Sequence, residues 1–111
     1  YYFPTNIHQF DTSERYLVFS GIGNPETFKE TLLKNKFNII KEIIFPDHHN
    51  YTQTDVDNIR LQAKNLNTEI ITTEKDYIKL NFYKNNDIKF LKKELKIKNE
   101  KEFINYLKLH L

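Results

Sequence analysis

The sequence predicts an α/β fold: a mainly parallel sheet of about four strands flanked by helices, in a Rossmann-like three-layer arrangement. Three observations carry this expectation. Short apolar runs rich in β-type residues alternate with segments of helical period, in the order β-α-β-α-β and then β-α. Each of the first three runs ends in a polar loop, at residues 21–25, 46–51 and 72–76. The length, 111 residues, suits one domain with a modest core.

Taken in order, residues 1–15 read as an extended arm or interdomain connection, with Pro4 favouring an edge position. Residues 16–111 read as the single α/β domain. The first strand is the buried run YLVFS at 16–20, broken by Gly21 and Gly23. Asn24 is placed as an N-cap, Pro25 at the first helical position and Glu26 in the first turn. Phe28, Leu32 and Leu33 form the buried side of that helix, and Lys34 and Lys36 suit the negative end of its dipole.

Residues 37–45 form the second predicted strand, which Pro46 ends by removing a ladder donor. Thr52, with Asp55 three residues on, has capping-box spacing, and Val56, Ile59, Ala63 and Leu66 make one apolar stripe. Asn67 is a natural stop. The third strand spans 69–73, with Glu74, Lys75 and Asp76 as its exit loop and a helical turn beginning at Tyr77. Asn85, Asn86 and Asp87 mark a turn. Residues 88–97 read as a last strand, put at a sheet edge by its lysines, and Asn99 caps a terminal helix with Phe103, Ile104, Leu107 and Leu111 inward.

Composition excludes several classes. Cys is absent, which rules out disulfides and thiolate zinc sites and fits a reducing compartment. A net charge of +2 does not argue for nucleic acid. No apolar run approaches the roughly 18 residues of a membrane span, and the first residues show no signal-peptide pattern. The absence of Met leads us to expect a piece of a longer protein, or one whose start has been removed. The only glycines are Gly21 and Gly23, so neither G-x-x-x-x-G-K-[ST] nor G-x-G-x-x-G can be written here. No cofactor-binding residue is therefore expected in this chain.

Parallel strands bring their C-terminal ends to one edge, where ligands bind in such folds, so the three polar loops should converge. Asp47, His48 and His49 could ligate a metal or transfer a proton, or could simply satisfy nearby backbone. Gly21 and Gly23 precede a helix start that suits an anion, or an ordinary turn. Lys75, between Glu74 and Asp76, could meet a phosphate or belong to a surface ion pair.

The ordered trio GIGNPETF (21–28), FPDHHNYT (45–52) and TTEKDYIKL (72–80) resembles the C-terminal part of the tetraacyldisaccharide 4′-kinase (lipid A 4′-kinase) family. The resemblance covers residues 16–80 well and the tail loosely. It implies a kinase that moves the γ-phosphate of ATP to the 4′-hydroxyl of a lipid A disaccharide 1-phosphate. It further implies a place at the cytoplasmic face of the inner membrane of a Gram-negative bacterium. The nucleotide-binding loop and the Mg²⁺-binding residues belong to the family's N-terminal part. That part is thus an expected partner, together with the lipid A precursor, and membrane association would be peripheral and run through it. Nucleic acid and a metal held by this chain are not expected.

The family's D-H histidine, which assists attack by the hydroxyl together with an N-terminal Asp, corresponds to His48. Asp47 beside it would orient the ring or cap the following helix. His49, Tyr51, Glu74, Lys75, Asp76, Gly21 and Gly23 are candidate substrate contacts, although the motif itself assigns no role to Tyr51 or Lys75. By itself the fragment is expected to bind no ATP tightly and to be inactive. Two alternatives are a metal-dependent phosphoesterase of the Asp-His-His type and a non-catalytic α/β binding module. The first needs further carboxylates from an earlier strand end, and the only Asp before Asp47 is Asp11.

Overall fold

The computed structural model describes residues 2–4, 9–80, 83, 86–92 and 94–96, the strands at 2–4 and 94–96 by backbone alone. Its elements are β1 (Tyr2–Pro4), β2 (Arg15–Ser20), α1 (Pro25–Lys34), β3 (Asn38–Ile44), α2 (Gln53–Leu66), β4 (Glu69–Thr73), α3 (Glu74–Ile78), β5 (Ile88–Leu91) and β6 (Glu94–Lys96). The main sheet has the order β3-β2-β4-β5, and every neighbouring pair is parallel. β1 and β6 form a separate antiparallel pair, with Tyr2 opposite Lys96.

The central strand explains the layering. Residues 16–20 are all buried, as expected of a parallel strand covered on both faces. Alternation sends Leu17 and Phe19 to one side, into a core with Val56, Ile59 and Ala63 of α2 and with Ile70, Leu80 and Ile88. Tyr16 and Val18 point to the other side and meet Phe28 and Leu32 of α1, with Phe37, Ile71 and Leu91. The result is helix, sheet, helix, as the alternating pattern predicts. β5 lies at the sheet edge, as expected of the last strand.

Local chemistry sets the helix ends. Asn24 Oδ1 accepts from the Thr27 N–H at 3.3 Å, with Pro25 in the first turn. Thr52 and Asp55 form a complete reciprocal capping box. α2 ends at Asn67, whose φ of 56° is the left-handed stop. A bidentate Arg60–Asp87 pair, at 2.8 and 2.9 Å, ties α2 to the approach to β5.

Three expectations are corrected. Glu74, Lys75 and Asp76 are the first turn of α3, not an exit loop: Thr73 caps that turn by accepting the Asp76 N–H at 3.1 Å. The last strand is two strands, β5 and β6, belonging to different sheets. Leu33, assigned to the buried side of α1, is 52% exposed, because Thr31 takes the buried position beside Leu32. The terminal helix expected from Asn99 lies outside the described residues.

Leu17 is fully buried at the centre of the sheet. Leu17→Ala should lower unfolding stability by about 2–5 kcal/mol through lost burial and a residual cavity. Leu61→Ala, on a side chain 56% exposed, should change it by less than about 0.5 kcal/mol. Urea denaturation of the two variants checks the pair.

Candidate functional site

The three polar loops meet at the C-terminal edge of β2, β3 and β4. Their meeting point is Asp76, which has no exposed surface. Its carboxylate accepts three donors, one from each loop region. The Gly21 N–H reaches both oxygens at 3.1 Å, the Tyr51 hydroxyl reaches Oδ1 at 3.0 Å, and the Thr73 hydroxyl reaches Oδ2 at 2.6 Å. A buried carboxylate is costly unless it is hydrogen-bonded in this way. Burial, with the Asp76 carboxylate alongside, pushes the Tyr51 phenol well above its ordinary range, so it remains a donor at working pH.

The loop after β3 is a tight turn. The His49 N–H donates to Pro46 O at 3.1 Å and the His48 N–H to Gly21 O at 3.2 Å. His48 takes φ 62° in that turn. For a residue with a Cβ this left-handed conformation costs roughly 1–2 kcal/mol, and it persists only where the surroundings hold it. Gly21 lets the turn sit close. A Cβ there would lie 3.2 Å from Pro46 O, His49 Cβ and the Tyr51 hydroxyl.

The two histidines part company. His49 stacks on Phe45 at 4.6 Å between centroids, meets the Tyr51 ring edge-on at 4.9 Å, and pairs through Nε2 with Asp55 Oδ2 at 2.9 Å. Its carbonyl accepts from Lys79 Nζ at 3.2 Å. The His48 side chain is 79% exposed. Asp47 is close, but its Oδ2 is 3.6 Å from His48 Nε2, beyond hydrogen-bond reach. Neither role offered for Asp47 is made in this arrangement: it does not bond the ring, and the cap of α2 is Thr52. Asp47 instead rests against Gly23, 3.2 Å from where a Cβ on that glycine would be.

On the α1 side of the same edge lies an open groove of about 780 Å³. Ile22, Phe28, Ile78 and Leu91 give it an apolar floor, and Glu74 and Lys75 are among its polar lining. The predicted residues therefore divide into four groups. Gly21, Tyr51 and Asp76 are buried, the first two donating to the third, Asp47 and His48 stand out on the turn beside Gly23, and Glu74 and Lys75 line the groove. His49 is half-buried behind the turn. Sequence reasoning missed the His49–Asp55 pair and the latch at Asp76. The second had a signal, because Thr73 and Asp76 have the same T-x-x-D spacing as Thr52 and Asp55.

Among the described residues no three His, Asp or Glu side chains converge on a point where a metal could be held. No described helix is long and apolar enough to cross a membrane.

A family model described as Tetraacyldisaccharide-1-P 4′-kinase matches residues 4–111. The tetraacyldisaccharide 4′-kinase of Pelagibacter ubique is 47% identical over 106 residues, which are 96% of this chain and 34% of that protein. Those of Rickettsia typhi and Rickettsia akari are 47% and 49% identical, each over 86% of this chain and 29% of the relative. The chain thus spans about a third of the length of the curated relatives it matches. No solved structure matches it.

The bonds from Thr52 and His49 hold the Asp55 carboxyl below its ordinary value of 3.8. A lowered folded value means that the unfolded chain binds the proton more readily. The stabilisation is therefore complete above a pH of about 4 and drains away as pH falls through the folded value. Asp55→Asn should be less stable than the parent at pH 7, and the gap should narrow as the pH is lowered through the acid range in which Asp55 takes up its proton. Urea midpoints at pH 7 and across that range test this, and a gap that stays constant would show that the charge of Asp55 is not what matters.

Proposed function

The chain belongs to the tetraacyldisaccharide-1-phosphate 4′-kinase family, and from that premise we propose that it is the C-terminal, acceptor-handling part of such a kinase. The parent enzyme transfers the γ-phosphate of ATP to the 4′-hydroxyl of an acylated disaccharide 1-phosphate, the lipid A precursor. In this reading ATP and Mg²⁺ are held by an N-terminal nucleotide-binding domain. The parent works at the cytoplasmic face of a Gram-negative inner membrane, peripherally, because its acceptor is an acylated lipid. The fragment by itself is inactive.

Phosphoryl transfer asks mostly for positioning and charge stabilisation, with a group near the nucleophile to receive its proton. His48 is that group. As the hydroxyl oxygen bonds to phosphorus and ADP leaves, the imidazole takes or orients the hydroxyl proton. The observation that carries the assignment is the exposure of the His48 ring on a turn held by hydrogen bonds to Gly21 and Pro46. A ring so placed can reach a substrate carried by another domain, and closure of the two parts would complete the site. Asp47, beside it, contributes charge rather than ring orientation.

The groove supplies the acceptor's seat. Its apolar floor suits acyl or sugar faces, and Lys75 suits a phosphate. Glu74 lines the same groove, and Gly23 stands in the chain between its lining residues Ile22 and Asn24. Gly21, Tyr51, Asp76 and His49 serve the substrate indirectly, by shaping that surface.

His48→Ala in the full-length enzyme should lower kcat by more than about tenfold, within the ~10²–10⁴ range of general acid–base assistance, with the KM for ATP nearly unchanged. His49→Ala should do less. Near-wild-type kcat in a folded His48→Ala enzyme would end the assignment. Separately, Lys75→Glu should raise the KM for the acylated acceptor by about tenfold, the scale of one charged hydrogen bond, and leave that for ATP in place. An unchanged acceptor KM removes Lys75 from the seat.

A further inference from the structure

We propose that Asp76 is the positioning residue of the His48 turn. The proposal rests on the reading of His48 as the proton acceptor and gives a task to a buried carboxylate that the transfer step does not touch.

Two arms connect them. In the first, Gly21 is held at both ends of its own residue: its N–H donates to Asp76, and its carbonyl accepts the His48 N–H at 3.2 Å. Any displacement of Gly21 is therefore a displacement of His48. In the second, Asp76 Oδ1 holds the Tyr51 hydroxyl. The Tyr51 ring packs at 5.2 Å against Phe45 and at 4.9 Å against His49. Those two residues flank the turn on either side, and their rings stack on one another. The carboxylate thus grips the turn from the β2 side and from its own downstream end.

The chemistry explains why the group is a carboxylate. Three donors converge on it from separate parts of the chain, and one of them, the Gly21 N–H, faces both oxygens at 3.1 Å and has no lone pair with which to accept. An amide in the same place would turn one face into a donor, and because the Gly21 N–H reaches both oxygens, that donor would oppose it in either orientation. The left-handed backbone of His48 makes the grip necessary, since an unsupported turn would relax to a commoner conformation and swing the ring away. Small displacements of a reacting group are enough to cost large factors in rate.

Gly21→Ala is the complementary lesion. It keeps every donor and acceptor but sets a methyl 3.2 Å from Pro46 O and His49 Cβ, pressing directly on the turn.

The test is a pair of double-mutant cycles in the full-length kinase. kcat, the KM for ATP and the thermal midpoint are measured for Asp76→Asn, Gly21→Ala, His48→Ala and the two doubles containing His48→Ala. Each of the first two should lower kcat by about tenfold or more with the KM for ATP within about twofold. In the His48→Ala background the same substitutions should lower kcat by less than about twofold, because the residue they position is gone. If Asp76→Asn fails to fold, the Gly21→Ala cycle decides alone. Equal losses with and without His48 would show a general structural anchor and overturn the proposal while leaving the reading of His48 intact. A folded Asp76→Asn enzyme with kcat within about twofold of wild type overturns it as well. Near-wild-type kcat in His48→Ala would remove the reading of His48 and this proposal together.

Discussion

One buried carboxylate makes the edge of this sheet a single body. Three parallel strands deliver three loops to the same place, but parallel pairing alone stops at the last ladder hydrogen bond. Beyond it the loops need bonds of their own to stay in register, and the His48 N–H to the Gly21 carbonyl is one of them. Asp76 supplies more by accepting Gly21, Tyr51 and Thr73 at once. Placing a carboxylate where no water reaches it is unfavourable by itself, so the arrangement holds only when all three donors arrive together. That condition couples the loops: each is in place because the other two are.

The neighbouring histidines show what the coupling allows. His48 and His49 are chemically the same, yet one is used in packing and the other is presented to the outside. The turn from Pro46 to His49 closes with His48 in left-handed conformation, which sends its ring outward and brings the next ring onto Phe45. His49 then contributes through its stack and its bond to Asp55, which is itself half of the cap of α2. The start of a helix, an aromatic cluster and an exposed imidazole are thereby linked over fewer than a dozen residues. On the proposed reading, the left-handed angle at His48 is strain at a presented residue that its surroundings compensate.

What was legible in the sequence follows the range of the interaction. Caps are local, so Asn24, Thr52 with Asp55, and Asn67 could be read directly. The buried run at 16–20 and the alternation of elements gave the parallel sheet, and with it the convergence of the loops. The break between β5 and β6 was hidden because alternation continues across it while the partner changes, and partner choice leaves no local mark. Glu74 to Asp76 looked like a loop because three charged residues after a strand suggest solvent, although Thr73 caps a short helix there. The latch was hardest to see. Asp76 finds Gly21 across 55 residues and Tyr51 across 25, and nothing in a charged tripeptide announces that its last carboxylate turns inward. The resemblance, and no local pattern, is what singles out His48, whereas the burial of Asp76 could come only from the fold.

The chain spans about a third of its curated relatives, which bears on why the edge should be stiff. On the proposed reading the transfer site is divided, with the phosphoryl donor on one part and the proton acceptor on this one. Closing such a site brings together groups that were not neighbours, and the ordering cost falls on whatever is still mobile when the parts meet. A His48 on a free loop would have to be ordered at each closure, and the interaction gained at the hydroxyl would be partly spent on that ordering. A His48 on a turn already bonded to Gly21 and Pro46, with Gly21 bonded to a buried carboxylate, arrives with its geometry set. The cost was met once, in folding, by the core that buries Asp76. Stability of the sheet edge and efficiency of transfer are then the same property measured in two ways, and substitutions in the latch should move the second even where enough of the first remains for the protein to fold.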